Sequence, residues 1–349
     1  MSAGADIEGL QTQARQIEDD SEVISSADSA CAPPNEYALE IEAPDVSAHQ
    51  AGNTGIDYVS TFDSGAPGPH VMVSAVVHGN ELCGAIVLDE LLLEGVRPRA
   101  GKLTTAFVNT GALLSFDTAD PTASRFVDED FNRLWNAEVL DGVRDSAELR
   151  RARVLRPILD DVDLLLDIHS MQHATEPLMM CGPLEKGRAL ARALGSPAHV
   201  VSDAGHAAGR RMRDYADFSD PDSEKNSLLI ECGQHWERRS VSVAFDVTAR
   251  FLRQTGVVAP EFWASRIAPS PAQQRVIEVT QPVTIKNDGF RFADDYRGLE
   301  VIERAGTVIG WDGHEAVKTP FDDCVLIMPS RRLNAGASAV RLGRYLPPD

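Results

Sequence analysis

The stretch VMVSAVVHGNELCG, residues 71–84, sets a β-branched apolar run directly against a histidine, and a glutamate follows three positions later. A short apolar run closed by turn residues reads as a strand buried on both faces. The segment after it, GAIVLDELLLEG at 84–95, carries helical period. His78 and Glu81 therefore stand at a strand-to-helix junction, and in parallel α/β sheets ligands gather at such carboxyl ends of strands. Taken alone, the pair is equally readable as the polar start of a helix or as half of a metal site.

Working outward, apolar runs recur at 103–109 (LTTAFVN), 162–168 (VDLLLDI), 177–182 (PLMMCG), 198–203 (AHVVSD) and 227–233 (SLLIECG). Between them lie helix-period segments: SAELRRARVLRPILDD, EKGRALARALG and RSVSVAFDVTARFLRQTG. Strand and helix in alternation predict a three-layer α/β/α domain with a mixed sheet over residues 37–265. After the Pro/Ser/Ala segment SRIAPSPAQQ (265–274) the texture turns to β runs and turns, which predicts a small C-terminal all-β domain over 271–349. Residues 1–36 are acidic, rich in Ser and Ala, and end near a Pro-Pro break, so an extension outside the main core is expected.

With 33 Lys+Arg against 53 Asp+Glu, the net charge of −20 argues against nucleic acid or anionic membranes as partners. The five cysteines form no CxxC pair and no secretory framework, and the N-terminus lacks a basic start and apolar core. The expectation is a cytoplasmic protein with reduced thiols, with homo-oligomerisation left open. Cys83, next to a glycine at a tight turn, reads as a small packed side chain rather than a nucleophile.

Two further strand ends carry polar groups. Asp167 and His169 close the run at 162–168, and Glu231 closes the run at 227–230. Two histidines and a glutamate are a common ligand set for a catalytic zinc with an open position. Here His169 arrives 88 positions after Glu81, unlike the single-helix HExxH pattern, which this chain lacks. Each group also has an ordinary reading: a satisfied buried histidine for His169, a salt-bridge partner for Glu231. His173, four positions after His169, reads as a pocket residue in the following loop, and His206 and His235 remain unassigned.

Four motifs in order, HGNELCG (78–84), SRFVDEDFNRLW (124–135), DIHS (167–170) and IECGQ (230–234), resemble the succinylglutamate desuccinylase/aspartoacylase family of the zinc carboxypeptidase superfamily. The resemblance covers about residues 50–255, and the β-rich tail is similar to the domain appended in that branch. It implies one Zn2+ per chain held by His78, Glu81 and His169, with Glu231 as general acid/base. It further implies Arg125 as the group polarising the scissile carbonyl, and Asn132 with Arg133 as the grip on a substrate carboxylate. Asp167 becomes a candidate for orienting an imidazole.

The implied activity is hydrolysis of an N-acyl amino acid to a carboxylate and a free amino acid. A carboxypeptidase for short peptides and a non-catalytic metabolite-binding protein are the alternatives. One departure from the family pattern concerns the substrate side chain. An aspartate-recognising arginine is expected shortly before Glu231, yet the sequence there reads DFSDPDSEKNSLL. Arg210, Arg211 and Arg213 are more remote substitutes, so a neutral or cationic side chain is at least as compatible.

Overall fold

The computed structural model describes residues 37–205 and 209–347. The N-terminal extension expected over residues 1–36, and His206, lie outside the described residues.

The chain forms strands β1 (Val59–Asp63) and β2 (His70–Ala75), helix α1 (Leu82–Leu93), strand β3 (Lys102–Phe107) and the short helices α2 (Thr110–Leu114) and α3 (Ala137–Leu140). Helix α4 (Ala147–Asp161), strands β4 (Leu164–Met171) and β5 (Leu178–Met180), helix α5 (Glu185–Leu194), strands β6 (His199–Ser202) and β7 (Asn226–Gln234) and helix α6 (Arg238–Gln254) follow. The remaining strands are β8 (Arg275–Thr284), β9 (Arg291–Phe292), β10 (Val301–Ile302), β11 (Val308–Asp312), β12 (Glu315–Lys318), β13 (Cys324–Ile327) and β14 (Ser338–Tyr345). All six apolar runs and all four helix-period segments read from the sequence have become elements of the expected type. The weakly patterned β1 carried no signal strong enough to mark it.

One eleven-stranded mixed sheet runs in the order β1-β3-β2-β4-β7-β5-β6-β8-β14-β13-β10, and a three-stranded antiparallel sheet, β12-β11-β9, accompanies it. The centre, β3-β2-β4-β7, is parallel, which brings the carboxyl ends of β2, β4 and β7 side by side. Because successive side chains alternate across a sheet, the helices on its two faces can be told apart by residue parity. Gly84 of α1 meets Ala75 and Ile168, so close that a Cβ would stand 2.6 Å from the Ala75 methyl. Leu155 and Leu159 of α4 pack instead with Met72 and Leu165, on the opposite face. This is the expected α/β/α layering. Each such leucine, fully withdrawn from water, contributes about 1.5–3 kcal/mol before chain entropy is charged against it.

The tail is all-β among the described residues, and its first strand pairs parallel with β6, so the main sheet continues into it. Met171, Leu178 and Leu229 share a buried cluster with Ile277, Val325 and Ile327, which ties the tail to the strands that carry the site.

Candidate metal centre and active site

The chain leaves β2 through Val76, whose φ of 54° is left-handed and costly for a β-branched residue. That turn ends the strand and directs His78 across the sheet end. Gly79 follows with its N–H donating to the Arg125 carbonyl at 3.1 Å. Any Cβ at Gly79 would stand 2.2 Å from the Ala112 backbone, so glycine is required by close approach.

Glu81 occupies the N-cap position of α1, but its side chain caps nothing. Its oxygens divide between two imidazoles: Oε1 is 2.7 Å from His78 Nδ1 and Oε2 is 2.9 Å from His169 Nδ1. The Glu81 side chain is thus turned to the two imidazoles and not to the helix start. Asp167 and His169, two residues apart on β4, point to the same face, and Asp167 Oδ2 accepts from His169 Nε2 at 2.8 Å. Ser74 on β2 donates to the other Asp167 oxygen at 2.7 Å. His78 Nε2 faces Asp130 Oδ1 at 3.0 Å and an Arg125 nitrogen at 2.8 Å.

These contacts decide what the cluster can hold. Asp167 takes the Nε2 proton, so a neutral His169 ring turns its Nδ1 lone pair onto the Glu81 carboxylate. Two electron-rich atoms at that distance require positive charge between them, either a proton or a cation. Ligand atoms of His78, Glu81 and His169 all lie within 4.8 Å of one another and all three residues are buried. An N2O donor set with a carboxylate behind one imidazole fits zinc. Electrostatics agree: although burial opposes it, the His78 and His169 charges hold the Glu81 carboxyl well below its usual range. Against the same burial, Asp167 and Glu81 hold His169 well above its own.

Glu231 pairs in register with His169 across β4 and β7 and is buried. Its Oε2 has no hydrogen-bond partner and the residue lines a cavity of about 310 Å³ next to His78 and Glu81. Burial raises its pKa to about 8; the Glu81 charge adds to this, while His169 and Arg125 oppose it. Arg125 and Arg133 line the same cavity, and Asp130 holds both, at 3.3 Å and 3.8 Å. Asn132 is buried behind them, its Oδ1 accepting from the Met212 N–H at 2.8 Å. The structure thus gathers His78, Glu81, Glu231, Arg125 and Arg133 at one opening, with His169 buried against Glu81 and Asn132 supporting the 210–214 segment.

Several residues escaped sequence reasoning. Asp130 lies inside a quoted motif, and its signal is the spacing to Asn132, whose N–H it accepts at 2.9 Å. His235 lines the cavity with Nδ1 2.8 Å from Ser170 Oγ, and burial lowers its pKa to about 3, leaving a neutral ring. Arg332 and Arg341 reach the cavity from the tail. Of the three remote substitutes, Arg210 is exposed, whereas Arg211 and Arg213 are consumed by ion pairs: Arg211 with Asp203 and Asp214, Arg213 with Asp214. The loop after His169 lines the cavity through Gln172, His173 and Thr175, in keeping with the pocket reading of His173.

A parallel-centred α/β/α sheet with a His-Glu-His cluster divided between two strand ends defines a zinc carboxypeptidase-like fold. The sequence model of the "Succinylglutamate desuccinylase/Aspartoacylase catalytic domain" matches residues 67–254, and the chain belongs to that family. Among solved structures it is similar to a succinylglutamate desuccinylase from Vibrio parahaemolyticus (16% identity, TM-score 0.60, covering 83% of this chain and 87% of that one). It is likewise similar to murine aminoacylase 3 (19%, TM-score 0.52, 80% and 96% covered). The ectoine utilization protein EutE from Ruegeria pomeroyi, solved with product bound, also matches (16%, TM-score 0.52, 82% and 88% covered). At these identities the structural likeness speaks for the fold. No curated protein matches this chain in sequence. No helix among the described residues is long and apolar enough to cross a membrane.

Proposed function

We propose that this protein hydrolyses the amide bond of an N-acyl amino acid with the help of one zinc ion, releasing a carboxylate and a free amino acid. The family is one of deacylases, and the observation that carries the reading is Glu231: a buried carboxyl with a partnerless oxygen, facing the cavity beside the His78, Glu81 and His169 cluster. His78, Glu81 and His169 would hold the zinc, which supplies Lewis acidity that polarises the acyl carbonyl and acidifies water.

The rest of the chemistry falls to side chains. Glu231, whose pKa sits near neutrality, takes a proton from the attacking water and returns it to the departing amine nitrogen. Arg125 donates to the carbonyl oxygen as negative charge builds there. Arg133 grips the α-carboxylate with its planar fork, and Asp130 keeps both arginines aimed. The tail walls one side of the cavity through Met328, Ser330, Arg332 and Arg341, and Arg331 N–H donates to Gln172 Oε1 at 3.0 Å, which favours a small substrate over a peptide.

The test is a panel of N-acetyl, N-formyl and N-succinyl amino acids assayed with zinc-loaded protein, reading the free amino acid released. Turnover of an N-blocked dipeptide above every N-acyl amino acid would favour the carboxypeptidase reading instead. Binding without turnover across the panel would leave a metabolite-binding protein.

A further inference from the structure

Glu148 stands in the first turn of α4, where an acidic residue ordinarily faces water and complements the helix dipole. Here it is fully buried instead, and its carboxylate is turned back onto the chain that precedes the helix. Oε1 accepts from the Val127 N–H at 2.7 Å and from Asn109 Nδ2 at 3.0 Å; Oε2 accepts from the Asp128 N–H at 3.0 Å and the Glu129 N–H at 3.2 Å. Four donors fill the four acceptor positions that a carboxylate offers. Three successive backbone N–H groups turned on one anion make a receptor of the kind that elsewhere holds anionic ligands, and α4 supplies the anion from its own sequence. The clasp is reciprocal, because Asp128 Oδ2 accepts from the Ala147 N–H of the helix at 2.7 Å.

The clasped span lies between two residues of the site. Arg125 ends the short turn Ala123–Arg125, Asp130 caps the next turn, Phe131–Arg133, and residues 126–129 join them. Burial does little to fix that span, since Val127 and Asp128 are exposed. Helix α4, by contrast, is firmly seated: Leu155 and Leu159 are in the core, and Arg151 donates to the Val108 and Phe107 carbonyls at 2.8 Å and 3.0 Å. A seated helix thus holds a weakly packed loop by hydrogen bonds to one charge. Resting on the deacylase reading, we propose that Glu148 is a positioning residue: through residues 127–129 it sets the spacing of Arg125, Asp130 and Arg133, and so the reach of both arginines toward the substrate.

Glu148→Gln keeps the size and removes the charge, and its NH2 group must face N–H donors on one side. With zinc content equal to that of wild type, kcat/KM for the best N-acyl amino acid should fall about tenfold to a hundredfold, the cost of misplacing groups by about an ångström. The loss should fall on KM as well as on kcat, because Arg133 serves binding and Arg125 the reaction. A role confined to stability lowers the active fraction, which depresses kcat and leaves KM alone. Glu148→Asp keeps the charge on a shorter arm and should recover part of the loss. Glu148→Ala deletes a piece the size of acetate, so acetate should restore KM toward the wild-type value while acetamide should not. Wild type at the same acetate concentrations corrects for acetate acting at the zinc.

Amide hydrogen exchange reads the same clasp without turnover. In Glu148→Gln the Val127, Asp128 and Glu129 amides should exchange about tenfold to a hundredfold faster than in wild type, and in Glu148→Ala acetate should slow them again. Unchanged KM, exchange at 127–129 as slow as in wild type, or equal effects of acetate and acetamide overturns the proposal. Absence of turnover in wild type across the panel, with the exchange result as expected, would instead strike the deacylase reading and leave the loop anchor standing.

Discussion

Replacing Glu231 by Gln changes one oxygen for an amide nitrogen and tests two consequences of the same burial. The Glu231 carboxyl is pushed to about 8 in the folded protein, whereas an unfolded chain titrates it near the usual value of about 4.3. Between those values the native state holds a proton that the unfolded state has released, so stability falls as pH rises through the window. Each unit is worth about 1.4 kcal/mol, so from about pH 5.5 to 7.5 this one group removes about 3 kcal/mol from the metal-free wild type. Gln cannot titrate and mimics the protonated acid. Urea denaturation of both proteins in chelator, across that interval, should therefore give curves that agree at the acid end and diverge by about 3 kcal/mol at the other. In the zinc-loaded protein the same substitution should leave metal stoichiometry intact, because Glu231 is outside the ligand cluster, while turnover falls about 10² to 10⁴-fold. Parallel stability curves would refute the buried-acid assignment, and wild-type turnover would refute the general-base role.

Asp167→Asn removes the negative charge behind His169 Nε2 and one of the two oxygens that serve His169 and Ser74, and should weaken zinc affinity about 10- to 100-fold, measured by chelator competition; unchanged affinity would mean that the imidazole is oriented without that charge. Arg125→Ala should lower kcat about 10² to 10³-fold with little change in metal content, and a loss confined to KM would reassign this arginine to ground-state binding. Gly79→Ala drives a methyl into the Ala112 backbone, so a loss of about 1–3 kcal/mol in thermal or urea unfolding is expected together with weakened zinc binding, since His78 and Arg125 hang from the same turn. A variant as stable as wild type would show that the loop yields cheaply.

Much of this site was legible because its parts are tied to strand ends. An apolar run gives way to polar residues near the carboxyl end of its strand; His78 follows β2, and His169 and Glu231 lie in the last residues of β4 and β7, so three separate patterns converge once the strands are parallel. Asp130 left no such trace. It acts from an irregular loop, bonded to His78 at 3.0 Å across 52 residues, and no periodicity encodes a contact of that range. The β character of the tail was legible from texture, but its pairing with β6 depends on register, which texture does not specify.

The arginines show the sharper limit. In sequence, Arg211, Arg213, Arg332 and Arg341 are interchangeable cations, and proximity along the chain favoured the first two as substrate contacts. In the fold those two are spent on Asp203 and Asp214, and Arg341 of β14 also leans on Asp203, so three cations share two carboxylates. Arg332 is left facing the cavity with a carbonyl and an aromatic ring for company. What separates an arginine open to substrate from a structural one is therefore where the fold places it, on the cavity wall as with Arg125 and Arg133 or beneath it as with Arg211 and Arg213. That placement belongs to the folded chain as a whole. Asp203→Asn should destabilise the fold by about 3–5 kcal/mol, since it takes away the negative charge that the buried guanidiniums of Arg211 and Arg341 share. Urea unfolding reads the loss, and an Asp203→Asn protein as stable as wild type would mean that packing rather than charge holds the two guanidiniums in place.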